Sequence, residues 1–438
     1  MLRRSEIYKI DYVLVAAVMA VILIGILMIY SAGFDPIDRT NNGLYKRQII
    51  WFIIGFILML MMTFVRYKSL GDYCLYIYFF ILVLVVITTF FGTPIRNTRA
   101  WLNFGYFSIQ PSEFMKLAVV IVLAKYLELR ERDIRHLREL LVPTAVTAVP
   151  VLFIIMQPDF GTAMVFIPVL FAMLFIGGAD VSHLVAVISI AAIALIFPMV
   201  LTYREWVADQ DANIIVSFFR DYSLLFTVAG FLMVVSITTY ILHFFLIKKI
   251  FRKIYIPSIV MSLGLFFSVV IMRFLKDYQK KRILVFLSPD LDPHGSGYNV
   301  IQSKIAIGSG GFFGKGFLNG SQAQLGFLPE KSSDFIFPVI AEEWGFAGAV
   351  ILLGLLSLIV LRGAQIALEA KDKFGALLAA GISSIFFFHI LINVGMVVGI
   401  MPVTGLPLCF VSYGGSNLLV GMISVGILIN LRMNKFVY

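Results

Sequence analysis

The chain has 438 residues, of which 60% are hydrophobic and only 14% are charged, with a mean hydropathy of +0.96. A soluble globular domain is closer to about half apolar and a quarter charged, so the composition excludes an ordinary soluble protein. The net charge of +10 comes from basic residues in short loops between apolar blocks. That placement fits membrane topology and anionic lipid head groups, and it argues against a nucleic-acid partner.

The apolar blocks predict an all-α polytopic membrane protein with about twelve transmembrane helices, because each block approaches the roughly 20 residues that cross a bilayer. The first block follows a basic segment, is too long for a signal-peptide core and lacks a convincing cleavage site, so we interpret it as a retained helix. The predicted spans are 12–32, 48–65, 72–91, 112–127, 141–157, 160–177, 182–202, 222–246, 255–274, 335–361, 374–400 and 406–431.

Lysine and arginine are distributed unevenly between alternate loops. The segments that would share a side with the N-terminus are rich in them, notably 130–138, 248–253 and 362–373, and the opposite short loops carry fewer. The positive-inside rule then predicts that both termini are cytoplasmic.

One connection, 275–334, is predicted to be a large loop on the outer face. At about sixty residues it is too long for a simple connector. It contains Asp290, Asp292 and a glycine-rich stretch, 308–316, without the Gly-Lys-Ser/Thr ending of a nucleotide-binding P-loop. Lys315 and the exposed amides of this stretch could approach a diphosphate, although a plain turn is the better interpretation. The sequence shows no internal repeat, which slightly disfavours a transporter built from duplicated halves.

Ionisable residues within apolar segments are functional hypotheses by default, because charge is costly in lipid. Glu113 and Lys116 are three residues apart at the start of the fourth span, where they can pair on one helical face. A structural ion pair and a substrate role are about equally supported. Asp159 follows Pro158 in an interruption between two spans and is first of all a turn or cap residue.

Glu342 and Glu343 are adjacent carboxylates inside an apolar run, and neither could be left unpaired cheaply. A metal or a cationic partner would explain at least one of them. The five histidines lack metal-ligand spacing. His389 and Asn393 lie on one helical face and are predicted to form hydrogen bonds between helices. Together these features predict a site open to the outer leaflet and an amphiphilic ligand, without naming that ligand.

Eight groups of residues occur in one order over nearly the whole chain and jointly resemble the SEDS family (shape, elongation, division and sporulation). They are Arg99-Ala-Trp101; Gln110-Pro-Ser-Glu-Phe-Met-Lys116; Gln157-Pro-Asp-Phe-Gly-Thr162; Asp292-Pro-His-Gly-Ser-Gly-Tyr298; Gln302-Ser through Ile307-Gly-Ser-Gly-Gly311; Leu328-Pro-Glu330 with Asp334-Phe-Ile-Phe337; Glu342-Glu343; and Met401-Pro-Val-Thr-Gly405 with Val411-Ser-Tyr-Gly-Gly-Ser416. Gly314-Lys-Gly316 followed by Gly320-Ser-Gln-Ala-Gln-Leu325 is similar to the elongation member rather than the division member.

The resemblance implies a peptidoglycan glycosyltransferase that polymerises lipid II on the outer face of the bacterial cytoplasmic (inner) membrane. It implies a class B penicillin-binding protein transpeptidase as partner, together with other elongation-complex proteins, and a divalent cation, Mg²⁺ or Mn²⁺. The family's catalytic aspartate, which precedes a proline in the large outer loop, falls on Asp292. Substrate-binding roles fall on Arg99, Trp101, Glu113, Lys116, Asp159, Lys315, Glu343 and Ser412. The metal ligands stay unassigned.

Two departures from the family pattern stand out. The family usually has ten helices, so the count of twelve predicts an inserted helix pair at 203–254, which preserves the sidedness of Asp292. Ser332-Ser333 occupies a place where the family commonly has His-Thr, which puts any role of that dipeptide in doubt. A flippase for lipid-linked precursors and a non-catalytic scaffold remain the alternatives.

Overall fold

The structure of the protein is a computed structural model that describes residues 10–36, 38–95, 98–105, 107–207, 222–246, 249–274 and 296–435. The chain divides into two compact units. Unit 1 consists of Met1–Ala179 and Asn299–Tyr438, and unit 2 consists of Asp180–Tyr298. The catalytic candidate Asp292 lies outside the described residues.

The described part of the chain contains fifteen α-helices. They are α1 Tyr12–Ala32, α2 Leu44–Phe64, α3 Tyr67–Asp72, α4 Cys74–Phe91, α5 Pro111–Leu129, α6 Leu141–Met156, α7 Phe160–Gly177, α8 Val181–Val207, α9 Tyr222–Leu246, α10 Lys249–Phe274, α11 Ser296–Ser309, α12 Ser321–Gln324, α13 Ile336–Glu369, α14 Lys373–Val398 and α15 Gly415–Asn434. A 3₁₀ turn, Leu137–Leu140, leads into α6.

Eleven membrane-crossing candidates are found among the described helices by length and apolar composition. The remaining long helix, α5, carries four charged residues but buries 14 of its 19 residues within the protein. Each of these twelve helices coincides with one predicted span, so the prediction of a polytopic helical membrane protein is confirmed.

Some helix ends differ from the prediction. The last span was expected from residue 406, but α15 begins only at Gly415. The preceding segment is buried without being helical because side chains satisfy its backbone: Asn393 Nδ2 donates to Leu406 O at 2.7 Å, and Ser412 Oγ accepts from Leu408 N at 2.8 Å.

Five short strands accompany the helices. Strands β1 (Phe34–Asp35) and β2 (Thr40–Asn41) form an antiparallel pair. Strands β3 (Thr93–Ile95), β4 (Thr98–Asn103) and β5 (Ser108–Ile109) form a three-stranded sheet in that order. Because β5 ends immediately before α5, this sheet leads the chain into the helix that carries Glu113 and Lys116.

The core of unit 1 relies on close helix packing. Helix α15 buries 16 of its 20 residues. A Cβ atom placed on Gly381 of α14 would lie 2.4 Å from Val120 of α5, and one on Gly426 of α15 would lie 2.5 Å from the Met59 carbonyl oxygen of α2. Small residues at such crossings let helix backbones approach each other, as is common in membrane proteins. Cys74 and Cys409 are buried, and neither forms a disulfide.

Charged side chains meet at one end of unit 1. Asp11, which caps α1, lies 3.6 Å from Arg362 and 3.5 Å from Arg432. Arg432 also pairs with Glu369 at 3.0 Å. The charge bias predicts that the segments containing these residues lie on the cytoplasmic side. Their ion pairs are compatible with that sidedness, which stays a prediction.

Unit 2 contains α8, α9 and α10. Helices α9 and α10 are joined by hydroxyl hydrogen bonds, of which the shorter runs from Ser262 Oγ to Ala229 O at 2.7 Å. A Cβ atom on Gly264 of α10 would lie 2.7 Å from Ile193 of α8. The segment 203–254 falls within this unit, and its origin as an insertion stays a prediction.

Candidate functional site

Glu113 and Lys116 form a buried ion pair at the start of α5. Lys116 Nζ lies 2.8 Å from Glu113 Oε1, and both side chains are only 2% exposed. The same ammonium group lies 2.7 Å from Nε2 of His389, a fully buried residue of α14. Glu113 Oε2 has no hydrogen-bond partner among the described residues. We call Glu113, Lys116 and His389 the α5 cluster.

The local sequence explains why α5 begins where it does. Pro111 occupies the first helical position, where its missing N–H and fixed φ are tolerated. Gln110 N donates to Ser416 Oγ at 2.8 Å, and the Gln110 side chain donates to Asp159 Oδ2 at 2.7 Å. The N-terminus of α5 is therefore held by groups from two other parts of unit 1.

Asp159 has the capping role that its sequence context predicted. Its Oδ1 atom accepts from Thr162 N at 3.2 Å, at the N-terminus of α7. Its other oxygen accepts from Gln110. Both carboxylate oxygens therefore have protein partners, and no described contact requires a substrate to explain this residue.

Helix α13 is broken at Gly345, where the backbone has φ 68° and ψ −165°. The glycine-rich stretch lies against this break. Lys315 N and Gly316 N donate to the carbonyls of Glu342 and Glu343 at 3.0 and 2.9 Å, and Phe346 N donates to Gly311 O at 2.9 Å. The stretch thus satisfies backbone groups that a broken helix would leave unpaired.

The break brings three predicted or suspected residues together, which we call the helix-break cluster: Lys315, Glu342 and Glu343. Glu342 is fully buried and lies 2.7 Å from Lys315 Nζ. It also accepts from Ser321 Oγ at 2.9 Å and from Gln322 N at 3.0 Å. The expectation that a cationic partner explains one of the two carboxylates is confirmed for Glu342.

Glu343 is satisfied less completely. Ser31 Oγ, from the end of α1, donates to its Oε1 atom. Its Oε2 atom has no hydrogen-bond partner among the described residues, and the side chain is 1% exposed. A carboxylate in this position is costly if it is charged.

The other predicted substrate residues, Arg99, Trp101 and Ser412, have no described hydrogen bond or ion pair with either cluster. Arg99 and Trp101 are on β4; Arg99 is exposed, and Trp101 is half-buried opposite Thr93. Ser412 is buried, and its hydroxyl donates to Ser333 O at 2.6 Å. Ser332 O accepts from Tyr413 N at 2.9 Å. Ser332 and Ser333 therefore anchor the segment before α15 through their backbones.

Among the described residues, no group of three or more His, Cys, Asp or Glu side chains is arranged to hold a metal ion. The oxygens of Glu342 accept from protein donors, and Glu113 Oε1 faces an ammonium group. Mg²⁺ is often bound by one or two carboxylates together with substrate phosphates and water, but the described carboxylates do not converge on such a set. The described part of the chain does not by itself fit a cation site, so no chemical step is assigned to a metal.

The predicted set of site residues lacks two members of these clusters, His389 and Glu342. His389 was expected only as an interhelical hydrogen-bond partner, which the contact with Lys116 confirms, and Glu342 was noted but not assigned. His389 and Asn393 are four residues apart on one face of α14. That spacing, opposite a buried lysine, is the signal that could have placed His389 beside the α5 cluster.

About twelve long helices, with two clusters of ionisable side chains buried in unit 1, define a polytopic helical membrane protein with buried polar centres. A family model described as cell cycle protein, for FtsW, RodA and SpoVE, matches residues 11–223 and 212–436. The chain is 36% identical to peptidoglycan glycosyltransferase RodA of Treponema pallidum over 97% of this chain and 98% of that protein. It is 31% identical to peptidoglycan glycosyltransferase MrdB of Escherichia coli K12 over 97% and 94% of the two chains.

Solved structures agree with the sequence relatives. One, from work on coordinated polymerization and crosslinking by a peptidoglycan synthase complex, has a TM-score of 0.70 and 27% identity over 98% of this chain and 99% of that chain. RodA of Thermus thermophilus, at 24% identity over 98% of both chains and a TM-score of 0.61, shares the fold. The chain belongs to the FtsW, RodA and SpoVE family, which confirms the resemblance to SEDS proteins.

Proposed function

We propose that this chain is a peptidoglycan glycosyltransferase that polymerises lipid II into glycan strands during cell elongation. The observation that carries this proposal is the near full-length similarity to relatives that are named peptidoglycan glycosyltransferases, at 36% and 31% identity. Because the similarity extends over 97% of this chain in both cases, it includes the segments that contain every proposed site residue.

The proposed reaction joins a sugar hydroxyl of the acceptor to the anomeric carbon of a diphosphate-linked donor. The new bond forms between the hydroxyl oxygen and that carbon, the bond from the carbon to the diphosphate oxygen breaks, and the hydroxyl proton passes to a base. A carboxylate within hydrogen-bond reach can accept this proton. Asp292 is proposed as the base, on the strength of the family motif.

The described clusters support an amphiphilic substrate. The α5 cluster places a donor and an acceptor inside an apolar bundle, and positive charge near a leaving diphosphate stabilises the negative charge that develops there. Lys116 and Arg99 are proposed for that role. Lys315 is a further candidate for that role, because its ammonium group, like that of Lys116, has two described contacts, here with Glu342 and Ser321 at 2.7 and 2.8 Å.

The proposed setting is the bacterial cytoplasmic membrane, with the reaction on its outer face. The proposed partner is a class B penicillin-binding protein transpeptidase, since one structural relative comes from a peptidoglycan synthase complex that couples polymerization to crosslinking. A divalent cation stays part of the proposal through the family resemblance alone. The flippase and scaffold alternatives are not favoured, because the curated relatives carry the name of a transferase.

Purified protein incubated with lipid II, with and without its partner, tests the proposal by the appearance of glycan polymer.

Asp292→Asn keeps the shape of the side chain and removes the base, so turnover should fall by roughly 10²–10⁴. Asp290→Asn is the matched control in the same loop and should retain most activity. Wild-type turnover by Asp292→Asn would remove Asp292 from the mechanism, and transport of lipid II without polymer would favour the flippase. Chelation with EDTA followed by Mg²⁺ or Mn²⁺ tests the cation.

A further inference from the structure

His389 joins the Glu113–Lys116 pair from a different helix. Glu113 precedes Lys116 by three residues on α5, so their pairing is local. His389 belongs to α14, and its Nε2 atom lies 2.7 Å from Lys116 Nζ. All three side chains are buried, with exposed fractions between 0 and 2%. The lysine is therefore held from two sides by buried groups.

The protonation state of His389 follows from this contact. A lysine ammonium group has three N–H donors and no acceptor. Nε2 of His389 must therefore accept, which places the ring proton of a neutral imidazole on Nδ1. Nδ1 has no hydrogen-bond partner among the described residues, and the nearby backbone of Pro407 has only a carbonyl, which is compatible with a proton on Nδ1. The contact with Lys116 thus favours a neutral ring that is protonated at Nδ1.

The two described contacts use two of the three N–H donors of Lys116. The third can serve an acceptor outside the cluster. A lysine side chain is long and flexible, with freely rotating donors. Once Glu113 and His389 hold two of these donors, the direction of the third is fixed.

We propose that His389 is a positioning residue, whose Nε2 atom holds the Lys116 ammonium group so that its remaining N–H is directed at an oxygen of the lipid-linked substrate. This inference rests on the proposed function, because the direction of that N–H affects turnover only where a substrate oxygen meets it. His389 itself does not contact the substrate in this arrangement.

Three variants separate positioning from packing. In His389→Gln, the side-chain oxygen can reach the place of Nε2. In His389→Asn, the acceptor lies nearer the place of Nδ1, and His389→Leu supplies no acceptor. We expect His389→Gln to keep kcat/KM within about threefold of wild type, and the Asn and Leu variants to lose roughly 10- to 100-fold, the usual weight of a hydrogen bond to a charged group.

Activity is compared at equal amounts of monodisperse protein, with the unfolding temperature of each variant measured in the same detergent. A purely structural role predicts that activity follows stability. Positioning predicts that activity follows the acceptor, even if His389→Leu is as stable as His389→Gln. Equal activity of the Leu and Gln variants, whether high or low, would overturn the inference.

A second measurement does not depend on polymerisation. In protein with ¹⁵N-labelled histidine, the signals missing from His389→Gln identify His389, and their shifts report its tautomer. We expect neutral Nδ1–H in the wild type and a shift of that signal in Lys116→Met. A cationic or Nε2-protonated His389 would overturn the positioning role, whereas a wild-type protein that makes no glycan would count against the proposed function.

Discussion

The α5 cluster and the helix-break cluster both bury carboxylates in unit 1, but different groups satisfy them. In the α5 cluster, the contacts of Glu113 and Lys116 are with side chains. In the helix-break cluster, Glu342 accepts from the backbone N–H of Gln322 as well as from Lys315 and Ser321. Backbone donors cannot turn away without refolding the segment that carries them, whereas side chains can change rotamer.

This difference suggests separate roles for the two clusters. The helix-break cluster fixes the glycine-rich stretch to α13, so its chief contribution is architecture. Glu113 and Glu343 each keep one oxygen without a hydrogen-bond partner among the described residues. The side-chain contacts of Glu113 and Lys116, however, are all with other side chains, so the α5 cluster can exchange partners with a ligand without refolding a backbone segment. We infer from this difference that the α5 cluster contacts the substrate and that the helix-break cluster stabilises the structure.

The largest expected effect on stability comes from Lys116→Met. This change leaves Glu113 charged and buried without its partner, which usually costs about 3–5 kcal/mol. Adding Glu113→Gln should recover most of the loss, to within about 1 kcal/mol of wild type, because replacing both members of a buried pair is often nearly neutral. Unfolding in mixed micelles measures the free energies.

Polymerisation by the double variant then sharpens the comparison. A stable Glu113→Gln/Lys116→Met protein should still fail to make glycan, because it lacks the charges that we propose to contact the substrate. If that protein polymerised lipid II normally, the α5 cluster would be architectural as well, and the distinction between the clusters would fail.

Gly345→Ala should destabilise the protein by about 3 kcal/mol. Its φ of 68° is unfavourable for alanine, and the new Cβ would lie 2.3 Å from Gly314 N and 2.6 Å from Phe312 O. Left-handed strain and overpacking each cost about 1–3 kcal/mol. Gly354→Ala is the control in the same helix, since a Cβ there meets nothing within 4 Å. Equal unfolding free energies for the two variants would mean that the break is not rigidly packed.

Much of this architecture could be predicted because a helix that crosses the lipid bilayer needs a long run of apolar residues. All twelve long helices were expected from apolar runs, and Glu113 and Lys116 were paired from their spacing alone. The turn at Asp159 followed from Pro158 and Gly161. In each case the relevant interactions are local in the sequence.

The remaining features depend on contacts between distant segments. The break in α13 follows Glu342 and Glu343 inside an otherwise apolar run, and the approach of 310–316 explains why Gly345 leaves the helix. Lys315 and Glu342 are 27 residues apart, and Lys116 and His389 are 273 apart. No spacing rule connects residues so far apart in the sequence. The sequence therefore indicates which ionisable residues need a partner but does not show which residue that partner is.

The smallest expected effect is that of Glu343→Gln, and its neighbour provides the contrast. Glu342→Gln removes the charge that Lys315, Ser321 and Gln322 N–H stabilise, so the free energy of unfolding should fall by about 2 kcal/mol. Hydrogen bonds to charged groups contribute about 1.5–3 kcal/mol each. The loss is limited because Lys315, at 30% side-chain exposure, can turn partly to solvent. Glu343 accepts from Ser31 Oγ and from the backbone of Leu318 and Gly320, and it keeps one unpartnered oxygen. Glutamine keeps the acceptor for Ser31 and removes any need to bury a charge. The unfolding free energy of Glu343→Gln should therefore stay within about 1 kcal/mol of wild type, or rise. If Glu343→Gln were as damaging as Glu342→Gln, the Glu343 carboxylate would have to be charged and matched by a cation, and the helix-break cluster would then become the place to look for the divalent ion.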